Sequence, residues 1–272
     1  MKVIISHDVD HLFRDDHYKD LIYPKIWIRE TLSFLQHKIT FREWCLRVST
    51  TVQKVRHHID EVMEFDCQHG VPSTFFFGMT KGLGMSYKKE RAVPVILNVR
   101  DNGFEVGLHG VAFEDLEEMQ QEYQIFKDCS GQVPAGLRMH YVRHKQGTFE
   151  KLSQCGYCYD STEFDKIEGC CVKAPYKVKA MWEFPLTIMD SYLPYSFPKA
   201  KERTLELLKK AEENKIGYVC ILFHDYQYSD AYSQTKKWYE WVIRFLEQKK
   251  GYQFISYQDA IIELEERNQC RM

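Results

Sequence analysis

The chain has no excess of either charge: 37 lysines and arginines face 39 aspartates and glutamates, a formal net charge of -2. No global field therefore favours nucleic acid or an acidic membrane, and beyond short lysine pairs no basic patch replaces one. Long apolar runs are also missing. Only a few apolar residues precede His7 and Asp8, too few for a signal-peptide core, and no later segment approaches transmembrane length. A soluble, cytoplasmic protein with no membrane span and no nucleic-acid partner is the expectation. A cysteine framework is lacking too. Nine cysteines, an odd number without repeated spacing, suit a reducing compartment better than a disulfide scaffold. Cys155 and Cys158 form a CxxC, with Cys170-Cys171 downstream, but no second CxxC completes a zinc tetrad. Partly buried thiols are expected there.

What is present begins with Lys2-Val3-Ile4-Ile5, a short apolar run that reads as a buried strand. It leads into Ser6-His7-Asp8-Val9-Asp10-His11. Side chains alternate along a strand, so Asp8 and Asp10 share one face with their Cα atoms roughly 6.5–7 Å apart. Two carboxylates held so close need a cation between them or different roles, one as base and one as ligand. Taken alone, such a pair more often caps the next segment or sits in solvent, and only the rest of the chain shifts that balance.

The rest of the chain supplies context. At 272 residues, 44% of them hydrophobic, it is long enough for one α/β barrel with a single large core. Residues 11–50 form an insertion after the first strand, with helical stretches over 26–35 and 41–48, placed to lie over the strand's end and shape a cleft. Beyond it, apolar helical stripes over 53–69, 91–100, 116–126, 201–214 and 238–246 alternate with apolar strands at 73–77, 104–109, 136–140, 157–160, 182–190, 218–224 and 252–255. Pro185 breaks or edges the strand at 182–190, the sixth counting the N-terminal one. Such alternation predicts a single domain over 1–272, a distorted (β/α) barrel of about seven parallel strands.

Asp8, Asp10, His109, Arg138, His140 and His224 all fall at carboxyl ends of predicted strands, the rim where such folds assemble active sites. Each histidine alone is more often a hydrogen-bonded structural residue than a ligand. Six such residues on one rim reverse that balance.

In order, the motifs His7-Asp8-Val9-Asp10, Glu105 to His109, Leu137 to Tyr141, Glu183 to Asp190 and Ile221 to Asp225 resemble those of the NodB-type polysaccharide deacetylases, carbohydrate esterase family four. The resemblance runs from Lys2 to about Tyr257. It implies hydrolysis of an N-acetyl or O-acetyl group on a sugar or glycan precursor, assisted by one divalent metal, with zinc expected. By motif position Asp8 would be the general base, Asp10 and His109 metal ligands, and His224 the general acid. Arg138 would orient Asp8, with Asp190 behind it. Two departures stand out. Phe113 occupies the place of the family's second imidazole, which makes His140 the candidate third ligand, ahead of His7 and His11; and Val9 separates two acids that are usually contiguous. Two alternatives follow: a degenerate barrel that binds a glycan or partner enzyme without turnover, and an amide or phosphate-ester hydrolase using the same face. Tyr226, Tyr228 and Tyr232 after His224 fit sugar stacking.

Overall fold

The first strand, β1 (Lys2–Val9), sorts its side chains by parity. Val3, Ile5 and Val9 pack outward under the helices, whereas Ile4 turns into the barrel interior and Ser6 and Asp8 share its parity. The computed structural model of the protein describes residues 1–132 and 135–269.

After β1 the chain makes a 3-10 turn at Arg14–His17 and two helices, α1 (Ile22–Leu35) and α2 (Phe41–Ser49), within the span read as an insertion. Thr40 caps α2 through a reciprocal pair of bonds with Glu43. The α/β alternation then proceeds through α3 (Ile59–Gln68), β2 (Thr74–Phe77), α4 (Lys89–Asp101), β3 (Glu105–Gly110), α5 (Leu116–Ser130), β4 (Gly136–Met139) and α6 (Thr148–Cys155). It closes with β5 (Tyr159–Asp160), β6 (Tyr176–Val178), β7 (Met181–Glu183), β8 (Leu186–Met189), α7 (Phe197–Glu213), β9 (Tyr218–His224), α8 (Ser233–Gln248), β10 (Gln253–Phe254) and α9 (Tyr257–Gln269).

The strands form one curled sheet in the order β6-β7-β5-β4-β3-β2-β1-β9-β8, with β10 paired to the start of β1. Every pairing is parallel except the β6–β7 hairpin, so the architecture is a distorted, mostly parallel (β/α) half-barrel. Two details depart from the sequence expectation. The hairpin strand β6 lies in a stretch without apolar period, and the run 182–190 is two strands at opposite sides of the sheet. Pro185 supplies no N–H at the break; Phe184 on one side donates to Asp160 O and Leu186 on the other to Glu163 O, both backbone bonds. That crossing draws the two sides of the sheet toward each other.

The interior is filled by Phe76, Tyr159, Phe184 and Tyr257, with Tyr257 of α9 stacked on Tyr159 at 4.2 Å. Gly136 is required by this packing: a Cβ there would lie 1.9 Å from the Tyr159 ring. A larger apolar layer joins the outer sheet face to the helices. The eight cysteines among the described residues are all free thiols. No helix among those residues is long and apolar enough to cross a membrane.

Candidate active site

The carboxyl ends of β1, β3, β4 and β9 meet at one rim of the barrel, beneath α1. They open into a cavity of about 510 Å³ lined by Asp8, Asp10, His109, His140 and His224, with Ile22, Lys25, Ile26 and Arg29 of α1 on the far wall. Three groups of side chains occupy the floor.

The first joins Asp10, His109 and His140. His109 Nδ1 lies 3.0 Å from the Arg138 carbonyl, which can only accept, so that nitrogen donates and Nε2 is the atom free to offer a lone pair. His140 is set the other way round: its Nε2 faces the Leu83 carbonyl at 3.3 Å, leaving Nδ1 bare. His109 Nε2 and His140 Nδ1 are 3.0 Å apart, close enough to share a hydrogen bond or for one cation to take both lone pairs. Asp10 Oδ1 lies 3.4 Å from the first and 3.3 Å from the second, and it is buried without a hydrogen-bond donor. Three lone-pair donors thus converge within 4.8 Å of one another. A buried unpartnered carboxylate oxygen between two imidazole lone pairs is an unfavourable arrangement unless a cation completes it.

His140 reaches this position through a strained turn. It lies one residue beyond β4, in a 3-10 turn where Tyr141 has φ 58° and Val142 φ 44°, left-handed values that a β-branched residue rarely adopts. Leu83, whose carbonyl orients the ring, is also left-handed at φ 51°.

The second group is Asp8 and Arg138, both buried. Arg138 Nη1 donates to Asp8 Oδ1 at 3.0 Å; Nε donates to the Ser161 carbonyl at 2.8 Å, and Nη2 to Ser161 Oγ and the Tyr257 hydroxyl, each at 3.0 Å. The guanidinium lies over the Phe76 ring at 4.6 Å. With one face against Phe76 and each of its three nitrogens donating, it has little freedom, and Asp8 Oδ2 is left facing His109 Nε2 at 3.7 Å.

In the third group, Asp190 accepts from His224 Nδ1 at 2.7 Å, from the His224 amide at 2.7 Å and from Gln227 Nε2 at 3.0 Å. Asp190 therefore stands behind His224 and not behind Arg138, where the motif order had suggested it. Burial works against a charged imidazole, but Asp190, by charge and hydrogen bond, with Asp10 and Asp8 adding to it, pushes the His224 pKa up to about 10. Its Nε2 points across the floor, 3.8 Å from Asp10 Oδ2.

Of the other expected residues, some line this cavity and some lie away from it. Alternation sends His7 to the outer face of β1, where Nδ1 meets the Phe223 carbonyl at 3.1 Å and Nε2 meets Asp66 at 3.0 Å. Phe113 packs at the edge of the outer core with the Arg143 guanidinium 4.5 Å over its ring, away from the floor. Tyr226 and Tyr232 line the cavity, whereas Tyr228 is buried against Phe65 and Phe223. His11 also lines the cavity, held by a chain absent from the sequence reading: His11 Nδ1 to His17 Nε2 at 3.0 Å, and His17 Nδ1 to Asp20 at 2.6 Å. Burial, against Asp10 and reinforced by His17 and Arg56, drops the His11 pKa to about 3. Ser161 and Tyr257, which fix Arg138, carried no signal in a single sequence because hydroxyls recur everywhere.

No family model matches the chain, and no curated protein is significantly similar to it in sequence. Solved structures do match. A protein from Mycobacterium smegmatis described as a polysaccharide deacetylase superposes with a TM-score of 0.67 over 98% of this chain and 91% of its own, at 15% identity. The allantoinase Puue matches with a TM-score of 0.59 over 96% and 88%, at 12% identity. A Pseudomonas aeruginosa PAO1 protein described as a polysaccharide deacetylase gives 0.58 over 96% and 89%, at 15% identity. These likenesses cover nearly the whole chain and establish its fold as that of the polysaccharide deacetylases.

Proposed function

We propose that this protein is a metal-dependent deacetylase that hydrolyses the N-acetyl, or O-acetyl, group of a sugar or glycan precursor. The observation that carries the reading is the convergence of Asp10, His109 and His140 lone pairs between a fixed carboxylate and a cationic imidazole. One oxygen and two nitrogen donors suit a single divalent cation, and zinc is the metal we assign to them. Such an ion supplies Lewis-acid polarisation of the acyl oxygen and acidifies a water.

The remaining steps belong to the chain's own groups. Asp8, held in place by Arg138, takes the proton of the attacking water through its free Oδ2. His224, cationic at neutral pH because of Asp190, gives a proton to the leaving amine nitrogen from Nε2 on the other side of the floor. Asp190 acts through His224, orienting its ring and fixing its tautomer. The Tyr226 and Tyr232 rings offer faces for a sugar.

A barrel that only binds a glycan needs neither the orphaned Asp10 oxygen nor the strained turn under His140, and both features favour turnover. Acetate release from N-acetylated amino sugars, with and without added zinc, tests the proposal. Zinc-dependent release that is lost in Asp8→Asn and in His224→Ala is expected. Binding without release by a zinc-loaded protein would turn the reading to a catalytically silent barrel, and phosphate release from sugar phosphates would turn it to ester hydrolysis.

A further inference from the structure

The far side of the cavity carries a group that the deacetylation chemistry does not use. Arg56, just before α3, is only 6% exposed, yet its Nε and Nη1 are buried without a hydrogen-bond partner. Its guanidinium lies 5.3 Å from the centre of the Tyr23 ring, a cation–π contact that leaves those N–H groups unsatisfied. The Arg56 amide donates to the Leu12 carbonyl at 2.9 Å, which ties the residue to the segment carrying Asp10 and His11 and so fixes it relative to the floor. Arg56 lines the same cavity, and Lys25 and Lys166 are exposed on its wall. Among the described residues, the only carboxylates on that lining are Asp8 and Asp10. Asp8 already answers Arg138, and Asp10 is assigned to the metal. A buried, immobilised guanidinium with unsatisfied donors is costly, and an oxyanion entering the cavity beside it is the ligand that would best offset that cost, by charge and by accepting from the guanidinium edge that lines the cavity.

We infer that the substrate carries an oxyanion, a carboxylate or a phosphate, which seats on Arg56 with Lys25 and Lys166 assisting, while its acetyl group lies on the floor. The inference deepens the deacetylase reading and rests on it.

Calorimetric binding of N-acetylglucosamine, N-acetylglucosamine 1-phosphate and N-acetylmuramic acid tests it, using protein stripped of metal by chelation and dialysed. Wild type should bind an anionic sugar at least about tenfold more tightly than the neutral one. Arg56→Met should lose most of that factor without changing the neutral sugar's affinity, and Arg56→Lys should recover part of it. The stronger of the two anionic sugars tells phosphate from carboxylate. Equal affinity for charged and neutral sugars, no binding of either anionic sugar, or a preference that survives in Arg56→Met overturns the inference. Should Arg56→Met fail to fold, Lys25→Ala and Lys166→Ala, both at exposed positions, carry the test: each should weaken the anionic sugar by about two- to threefold and flatten its salt dependence. Charge preference without acetate release would leave this subsite standing and break the deacetylase reading. Acetate release without charge preference would do the reverse.

Discussion

The barrel interior and the two-helix segment above it bound the same cavity, but they are held by different forces. Inside the barrel, Phe76, Tyr159, Phe184, Tyr257 and Arg138 are wholly buried, and the Asp8 carboxylate rests on that packed block. In α1, by contrast, only Ile26 and Glu30 of fourteen residues are buried, while Trp27, Ile28, Leu32 and Leu35 are at least half exposed. Polar contacts attach the segment, centred on Arg47: it donates to Glu30 at 2.7 Å and to the Ala231 carbonyl at 3.0 Å, and it lies 4.7 Å from both the Tyr195 and Tyr232 ring centres, while Tyr195 and Ser233 donate to Glu43. The floor is thus built for precision, and its cover for a lower local stability that admits adjustment around a ligand.

Removing one buried arginine from each region separates the two. Arg138→Ala leaves the Asp8 carboxyl buried without its guanidinium and should cost about 3–5 kcal/mol of global stability, read from urea unfolding. Asp190→Asn acts on the floor's chemistry. Without the carboxylate, burial dominates at His224 and its pKa falls from about 10, so the protonated acid is lost at lower pH. Its kcat should drop by about tenfold or more, and the alkaline limb of its pH profile should move down; an unmoved limb would show that Asp190 does not govern His224. Arg47→Ala should cost about 1–3 kcal/mol, felt locally. Hydrogen exchange should quicken in α1 and α2 and stay unchanged in β1 and β2, whereas equal acceleration in the barrel would erase the contrast. Smallest of all, Leu32→Ser on the exposed face of α1 should change stability by no more than about 0.5 kcal/mol by thermal unfolding.

Much of the barrel was legible because parity and period are local properties. The apolar run at 3–5 set the parity that puts Asp8 inside and His7 outside, and strand ends at His109 and His224 located the rim. Pairing partners are not local, so nothing in the run 182–190 told that its halves join β5 and β9 at opposite sides of the sheet. The left-handed turn under His140 is made by Tyr141 and Val142 without a glycine to signal it. Asp190 was expected behind Arg138 and lies behind His224 instead, since motif order carries no distances. Arg56 was invisible for the same reason: one arginine in a basic stretch reads as solvated until the fold shows it buried.

The most direct test of the account is the metal content of the purified protein by elemental analysis, on wild type beside Asp10→Ala, His109→Ala, His140→Ala and His224→Ala. The predicted result is about one divalent metal per chain in wild type and His224→Ala, and loss in the other three. Metal retained without His140, metal lost equally without His224, or no metal in wild type under zinc supplementation would contradict it.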